Sequence, residues 1–401
     1  MRTMNPSDRP DPSSVGETLA AQALDYVRAI SPYVTGKPVD AVAREYGLTD
    51  ILKLASNENP LGASPRASEA LRQRAWDLNI YPDGGGYALK QALAAQFELD
   101  PHGIVLGNGS NDLLEMVARA FLAPGRNAVF SAYAFAVYAL ATQAAGATAK
   151  VVPAFPPDHP TMPYGADLEA MARAIDADTR VVFLANPNNP TGTWVDREDL
   201  VTFLAAVPPT VLVVLDEAYS EYVERDDFPD GLALSRQFGN LVVTRTFSKI
   251  YGLAALRVGF GVAQPAVAAM LDRVRQPFNV NHLALIAAEA ALGDTDFIAH
   301  SRQVNAEGLR FMAAAFAERG LPTIPSLANF ITVNVGLPAG RVFDALLREG
   351  VIIRPLGGKS DTGGISCHIR ITIGTQAQNE RVLAALDRVL LRLNESASEA
   401  S

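Results

Sequence analysis

Residues 211–219 read Val-Leu-Val-Val-Leu-Asp-Glu-Ala-Tyr, and residues 241–249 read Leu-Val-Val-Thr-Arg-Thr-Phe-Ser-Lys. Each begins as a β-branched apolar run and ends in polar residues. A run this apolar suits a strand buried on both faces, as in a parallel sheet, rather than one with a wet face. Working outward, runs of the same kind recur at Gly103–Leu106, Ala128–Ser131, Lys150–Ala154, Arg180–Ala185 and Val258–Val262. Ala/Leu-rich stretches lie between or beside them. Their spacing predicts helices over Ser68–Leu78, Asp112–Leu122, Phe135–Ala145, Leu168–Ile175, Arg197–Ala206 and Val267–Val274. The alternation predicts an α/β fold, with a large domain at 63–300 whose mostly parallel sheet is flanked by helices.

Past residue 300 the rhythm changes. A long helix over Ser301–Arg319 precedes strand candidates Phe330–Val335, Val351–Pro355 and His368–Ile373, with helices at Arg341–Glu349 and Gln376–Leu393. This predicts a smaller α+β domain over 301–401. Upstream, a helix from Glu17 to about Ile30 and short elements to residue 62 predict an N-terminal segment joining the small domain. The Pro/Ser-rich residues 1–16 predict a disordered tail, and 394–401 a frayed end.

Composition narrows the function. The chain has 401 residues, 49% of them hydrophobic and 19% charged, enough for a large core. A formal charge of −9 without a basic stripe argues against nucleic acid. The single cysteine, Cys367, and five scattered histidines give no metal-ligand spacing, so no metal is expected. No apolar run approaches the roughly 18–20 residues of a membrane helix. The N-terminus lacks the apolar core of a signal peptide. A cytoplasmic protein without membrane or nucleic-acid partners is the expectation. Gly107-Asn-Gly109 and Gly259-Phe-Gly261 each open a dinucleotide fingerprint but lack its third glycine.

The chemistry concentrates at strand ends. Lys249 follows the 241–246 strand, where a partly desolvated lysine near other cations can lose its proton and attack a carbonyl carbon. Asp216 ends an all-apolar strand, which is unfavourable unless it meets a cationic partner. The pyridinium of pyridoxal phosphate, an electron sink, would be one. Asn189, in Asn186-Pro-Asn-Asn-Pro-Thr-Gly192, can present an amide to a phenolic oxygen. Gly107-Asn-Gly-Ser-Asn-Asp112 opens a helix and can bring backbone N–H groups to a phosphate. Thr246, Ser248 and Arg257 would complete that cup. Each feature alone also has a plain structural reading: a surface lysine, a helix cap, a rigid turn, a capping box. Together they place a phosphate cradle, an acid, an amide and a lysine on one sheet edge.

In this order, Asn-Pro-x-Asn-Pro-Thr-Gly (186–192), Asp-Glu-x-Tyr (216–219), Ser-Lys (248–249) and Arg257 resemble the fold-type I pyridoxal-phosphate aminotransferases. Within that group the chain is similar to the histidinol-phosphate aminotransferases. The marks are Ser31-Pro-Tyr33, Lys53-Leu-Ala-Ser-Asn-Glu-Asn-Pro-Leu-Gly62, Tyr81-Pro82, Arg354 and Arg370. The resemblance implies a cofactor, pyridoxal 5'-phosphate, held covalently by Lys249, which then shuttles the proton. It implies that Asp216 pairs with the ring nitrogen, Asn189 and Tyr219 bond the phenolic oxygen, and Tyr133 stacks on the ring. Ser110, Asn111, Thr246, Ser248 and Arg257 would bind the phosphate. Tyr81 would reach the cofactor of a second subunit, which implies a homodimer with shared sites. Arg370 would clamp the substrate's carboxylate or phosphate, and Tyr33, Asn329 and Arg354 would line the side-chain pocket. Ser131-Ala132 stands where this family usually has Pro-Thr before the tyrosine.

The implied reaction is transfer of the amino group of histidinol phosphate, a phosphorylated amino alcohol, to 2-oxoglutarate in histidine biosynthesis. The alternative is an aromatic-amino-acid aminotransferase, whose substrate would occupy much the same pocket. A decarboxylase of an amino-acid phosphate on the same scaffold is a third reading.

Overall fold

A computed structural model describes residues 12–33, 35–74, 76, 78–359 and 363–398. Its strands are β1 (Leu52–Lys53), β2 (Ile104–Gly107), β3 (Asn127–Ser131), β4 (Thr148–Val152), β5 (Thr179–Ala185), β6 (Leu212–Asp216), β7 (Leu241–Thr246), β8 (Gly259–Val262), β9 (Thr323–Ile324), β10 (Phe330–Asn334), β11 (Val351–Ile352), β12 (Arg354–Pro355) and β13 (His368–Thr372).

Seven of them form one sheet in the order β2-β8-β7-β6-β5-β3-β4. The pairs among β3 to β7 are parallel, and β8 alone runs against its neighbours β2 and β7. Side-chain alternation explains why these runs are apolar throughout. Val213 and Leu215 of β6 enter one buried cluster, and Leu212 and Val214 enter another. Both faces of the sheet are therefore dry. Helices cover them, including Ser110–Phe121 and Ala136–Ala144, which pack with the second cluster. Because the parallel strands share a direction, β5, β6 and β7 present Ala185, Asp216 and Thr246 along one sheet edge.

A second, antiparallel sheet of order β12-β13-β10-β9 has its own core, built on Ile331, Val333, Ile369 and Ile371 with Val382 and Leu386 of helix Gln376–Ser398. Among the described residues no helix is long and apolar enough to cross a membrane.

Four local differences from the sequence reading stand out. Residues 351–355 are two strands, not one: β11 pairs in parallel with β1, and β12 pairs with β13 in the antiparallel sheet. The expected helix from Glu17 to Ile30 is two helices, Pro12–Ala21 and Asp25–Arg28, with the chain extended at Leu24 (φ −55°, ψ 138°). The first of these includes residues 12–16 of the expected tail, and residues 1–11 lie outside the described residues. The C-terminal helix runs on to Ser398, and 399–401 lie outside the described residues.

Candidate active site

A cavity opens over the edge where β5, β6 and β7 end. Its lining includes Ser110, Asn111, Asn189, Asp216, Tyr219, Thr246, Ser248, Lys249 and Arg257 from the large sheet's side. Tyr33, Arg354 and Arg370 complete the wall from the N-terminal segment and the small sheet.

One end of the cavity is an anion cup. The helix Ser110–Phe121 starts here with its first backbone N–H groups unpaired within the helix. Gly109 precedes it with φ 79°, a conformation that favours glycine, and a Cβ there would collide with the Arg257 guanidinium. A Cβ on Gly259 would lie 2.7 Å from the Ser110 nitrogen, so β8 and the helix start need both glycines to approach. Thr246 Oγ1 donates to Ser248 Oγ at 3.0 Å, and Arg257 Nη1 donates to the same oxygen at 3.3 Å. Hydroxyls, a guanidinium and a helix N-terminus suit a phosphate dianion.

Lys249 lies at the centre. Its Nζ donates to the Ser56 carbonyl at 3.2 Å and sits 5.6 Å from the centre of the Tyr219 ring. Burial, reinforced by Arg370 and Arg257, lowers its pKa to about 8. A neutral, nucleophilic amine is therefore accessible near neutral pH. Tyr219 is buried, accepts a hydrogen bond from Asn57 Nδ2 at 2.9 Å, and has its pKa pushed up to about 12, chiefly by burial.

Asp216 forms part of the cavity wall as a buried carboxylate. Tyr138 donates to its Oδ2 at 3.0 Å and Thr244 to its Oδ1 at 3.2 Å. Burial raises its pKa, against the pull of these hydroxyls and of Lys249. An acid so placed calls for a cation at the cavity surface.

On the remaining wall Arg370 donates to Asn189 Oδ1 and, through Nη2, to the Ala55 carbonyl at 2.8 Å. Its Nε is buried without a partner. Holding Asn189 by its oxygen leaves the amide nitrogen as a donor. The Arg354 guanidinium lies 5.6 Å from the centre of the Tyr33 ring.

The residues therefore fit pyridoxal 5'-phosphate: a cup for its phosphate, an acid for its ring nitrogen, an amide and a phenol for its phenolic oxygen, and a lysine for its aldehyde. The comparisons with known proteins agree. The family model for aminotransferase class I and II matches residues 49–386. The chain belongs to the class I and II aminotransferases. This aminotransferase is 58% identical to histidinol-phosphate aminotransferase 2 of Pseudomonas fluorescens (strain Pf0-1), over 93% of this chain and 98% of that protein. It is 53% identical to histidinol-phosphate aminotransferase 2 of Methylococcus capsulatus, over 93% of this chain and 100% of that one. Among solved structures it resembles histidinol-phosphate aminotransferase from Sinorhizobium meliloti in complex with pyridoxal-5'-phosphate. The TM-score is 0.84, with 31% identity, covering 93% of this chain and 98% of that chain.

Three candidate residues of the aminotransferase lie off the cavity. Tyr133 is not in its lining; it stands edge-on to Tyr164 at 5.5 Å, and Phe135, two residues on, faces the cavity instead. Asn329 is buried one step behind, donating through Nδ2 to the Asn57 carbonyl at 3.0 Å. Tyr81 is 80% exposed and stacks on Phe278 at 4.8 Å in a separate surface groove. Sequence reading missed Ser56, Asn57 and Glu58, which line the cavity, and Tyr138 and Thr244, which hold Asp216.

Proposed function

We propose that the chain transfers the amino group of histidinol phosphate to 2-oxoglutarate, giving imidazole acetol phosphate and glutamate in histidine biosynthesis. The observation that carries this reading is the second cationic wall. The helix-terminal cup accounts for one phosphate, and Arg354 and Arg370 stand apart from it. A ligand that adds an anion of its own is thereby favoured: the phosphate of one substrate and the carboxylates of the other. The names of the relatives support the same substrate.

When bound, the cofactor takes the amino group at its aldehyde carbon and draws electrons through its ring nitrogen from the carbon that loses a proton. Lys249 would hold the cofactor at its aldehyde carbon, with water as the leaving group, until the substrate's amine takes its place; the freed amine would then move the proton between the substrate carbon and the cofactor carbon as a general base and then acid. A pKa of about 8 suits both roles. Asp216 would pair with the ring nitrogen. Asn189 and Tyr219 would donate to the phenolic oxygen, and Ser110, Asn111, Thr246, Ser248 and Arg257 would hold the phosphate. Of the aromatic pair Tyr133 and Phe135, Phe135 lines the cavity and would cover the ring. Arg370 would hold the substrate's anion, with Tyr33 and Arg354 against its side chain. Asn329 would act through Asn57, whose carbonyl it fixes.

A homodimer belongs to this reading. Trp76, Leu78, Ile80 and Tyr81 are 84%, 67%, 63% and 80% exposed, a strip of large apolar side chains that a second subunit would cover. Tyr81 would then reach the partner's cofactor phosphate.

The test is the half-reaction without an oxo acid. Histidinol phosphate should rapidly bleach the yellow protein, and phenylalanine should do so slowly. Rapid bleaching by phenylalanine alone would assign the pocket to an aromatic amino acid, and no bleaching by either would remove both substrates.

A further inference from the structure

Tyr138 has no place in the roles above, yet it is fully buried against the most deeply set acid of the site. Its ring is clamped, parallel to Phe183 at 4.9 Å and 6° and edge-on to Phe135 at 5.9 Å. Its hydroxyl donates to Asp216 Oδ2 at 3.0 Å, and Thr244 serves the other oxygen at 3.2 Å. Both side-chain partners of the carboxylate are thus neutral donors.

A carboxylate and a pyridine nitrogen share one proton, which can rest on either. Hydroxyl donors stabilise the ionised carboxylate more than the neutral acid, so they drive the proton toward nitrogen. Burial works in the opposite direction, favouring the neutral acid. The hydrogen bonds oppose it inside a low-dielectric wall, where each is stronger than in water. Tyr138 does not surrender its own proton, because burial and the neighbouring Asp216 charge hold its phenol well above the usual range.

We infer that Tyr138 is a positioning residue for transamination: its hydroxyl keeps Asp216 ionised and so keeps the shared proton on the cofactor's ring nitrogen. This rests on the pairing of Asp216 with that nitrogen. Thr244 contributes in the same direction through a longer bond.

The test uses the holoenzyme loaded with pyridoxal phosphate labelled with ¹⁵N in the ring. Tyr138→Phe keeps the ring and removes one O–H. Its ¹⁵N resonance should move from the protonated toward the unprotonated position, and kcat should fall about tenfold, as for loss of a hydrogen bond to a charged group. In Asp216→Asn, which has no carboxylate to ionise, adding Tyr138→Phe should change neither readout further. A wild-type ¹⁵N position in Tyr138→Phe, with Asp216→Asn shifted, overturns the role of Tyr138 alone. A wild-type position in Asp216→Asn overturns the pairing on which it rests. Effects of the two substitutions that multiply would also overturn it, because Tyr138 would then act by another route. Thr244→Val provides the same measurement should Tyr138→Phe fail to fold, with a smaller shift in the same direction expected.

Discussion

Asp216 and Glu217 are adjacent, both buried, and treated in opposite ways by the fold. Glu217 accepts two hydrogen bonds from Arg245, at 2.9 and 2.7 Å, and a third from the Gly231 backbone at 2.8 Å. Its charge is matched within the protein. Asp216 has hydroxyl partners and borders the cavity. Consecutive residues at a strand end point to opposite sides. One carboxylate therefore closes an ion pair under the sheet, and the other borders the cavity, where on the proposed reading the cofactor's ring nitrogen would meet it. A buried acid is not by itself a sign of function. What distinguishes the functional one is that, among the described residues, its side-chain hydrogen-bond partners are neutral hydroxyls rather than a cation.

The largest expected effect comes from breaking the Asp216 side. Asp216→Ala should lower kcat/KM by about 10³-fold, since it removes the preorganised charge facing the reacting ring. Its cofactor-free melting temperature should change little, because loss of a buried carboxylate without an ion-pair partner offsets the cost of leaving the Tyr138 and Thr244 hydroxyls unpaired. Steady-state kinetics and calorimetry on one preparation would check both. A large drop in melting temperature with activity retained would reverse the assignment of the two acids.

On the Glu217 side the expected pattern inverts. Arg245→Met leaves Glu217 buried and unpaired, which costs about 3–5 kcal/mol of stability. Turnover per folded molecule should stay near wild type. Combining Glu217→Leu with Arg245→Met should recover most of the stability, because both charges are then gone. Denaturant unfolding of the single and double variants measures this directly.

A smaller effect concerns Lys249, the cation nearest in role to Asp216. Burial lowers its pKa from the ordinary 10.5 to about 8. Between those values the unfolded chain binds more protons than the folded one, so stability of the cofactor-free protein should rise with pH across that window. Lys249→Met should flatten the rise. A slope of the same size in that variant would place its origin elsewhere.

How much of this was legible in the sequence depended on distance along the chain. The strands that carry the site were readable within a residue or two, because burial on both faces leaves a run with almost no polar interruption. Lys249, Asp216, Asn189 and Ser110 followed from their positions at strand ends. The helix His282–Leu292 carries no amphipathic signal in the sequence, since its residues are apolar nearly all round and show no stripe. β1 is two residues long and exists through its pairing with β11, nearly three hundred residues away, so no local signal marks it. The same limit hid Tyr138, whose partner lies 78 residues further on, and Asn57, which binds Tyr219 across 162. Tyr133 and Phe135 show a finer limit. Two aromatics stand two residues apart, and the start of helix Ala136–Ala144 decides which one faces the cavity.

What Asp216 meets is decided by a crystal structure of the protein with pyridoxal phosphate bound. The ring nitrogen is expected within hydrogen-bond distance of Asp216, with Lys249 bonded to the cofactor and Glu217 still on Arg245. A ring turned so that Asp216 faces no nitrogen, or a cofactor joined to another lysine, would contradict this arrangement.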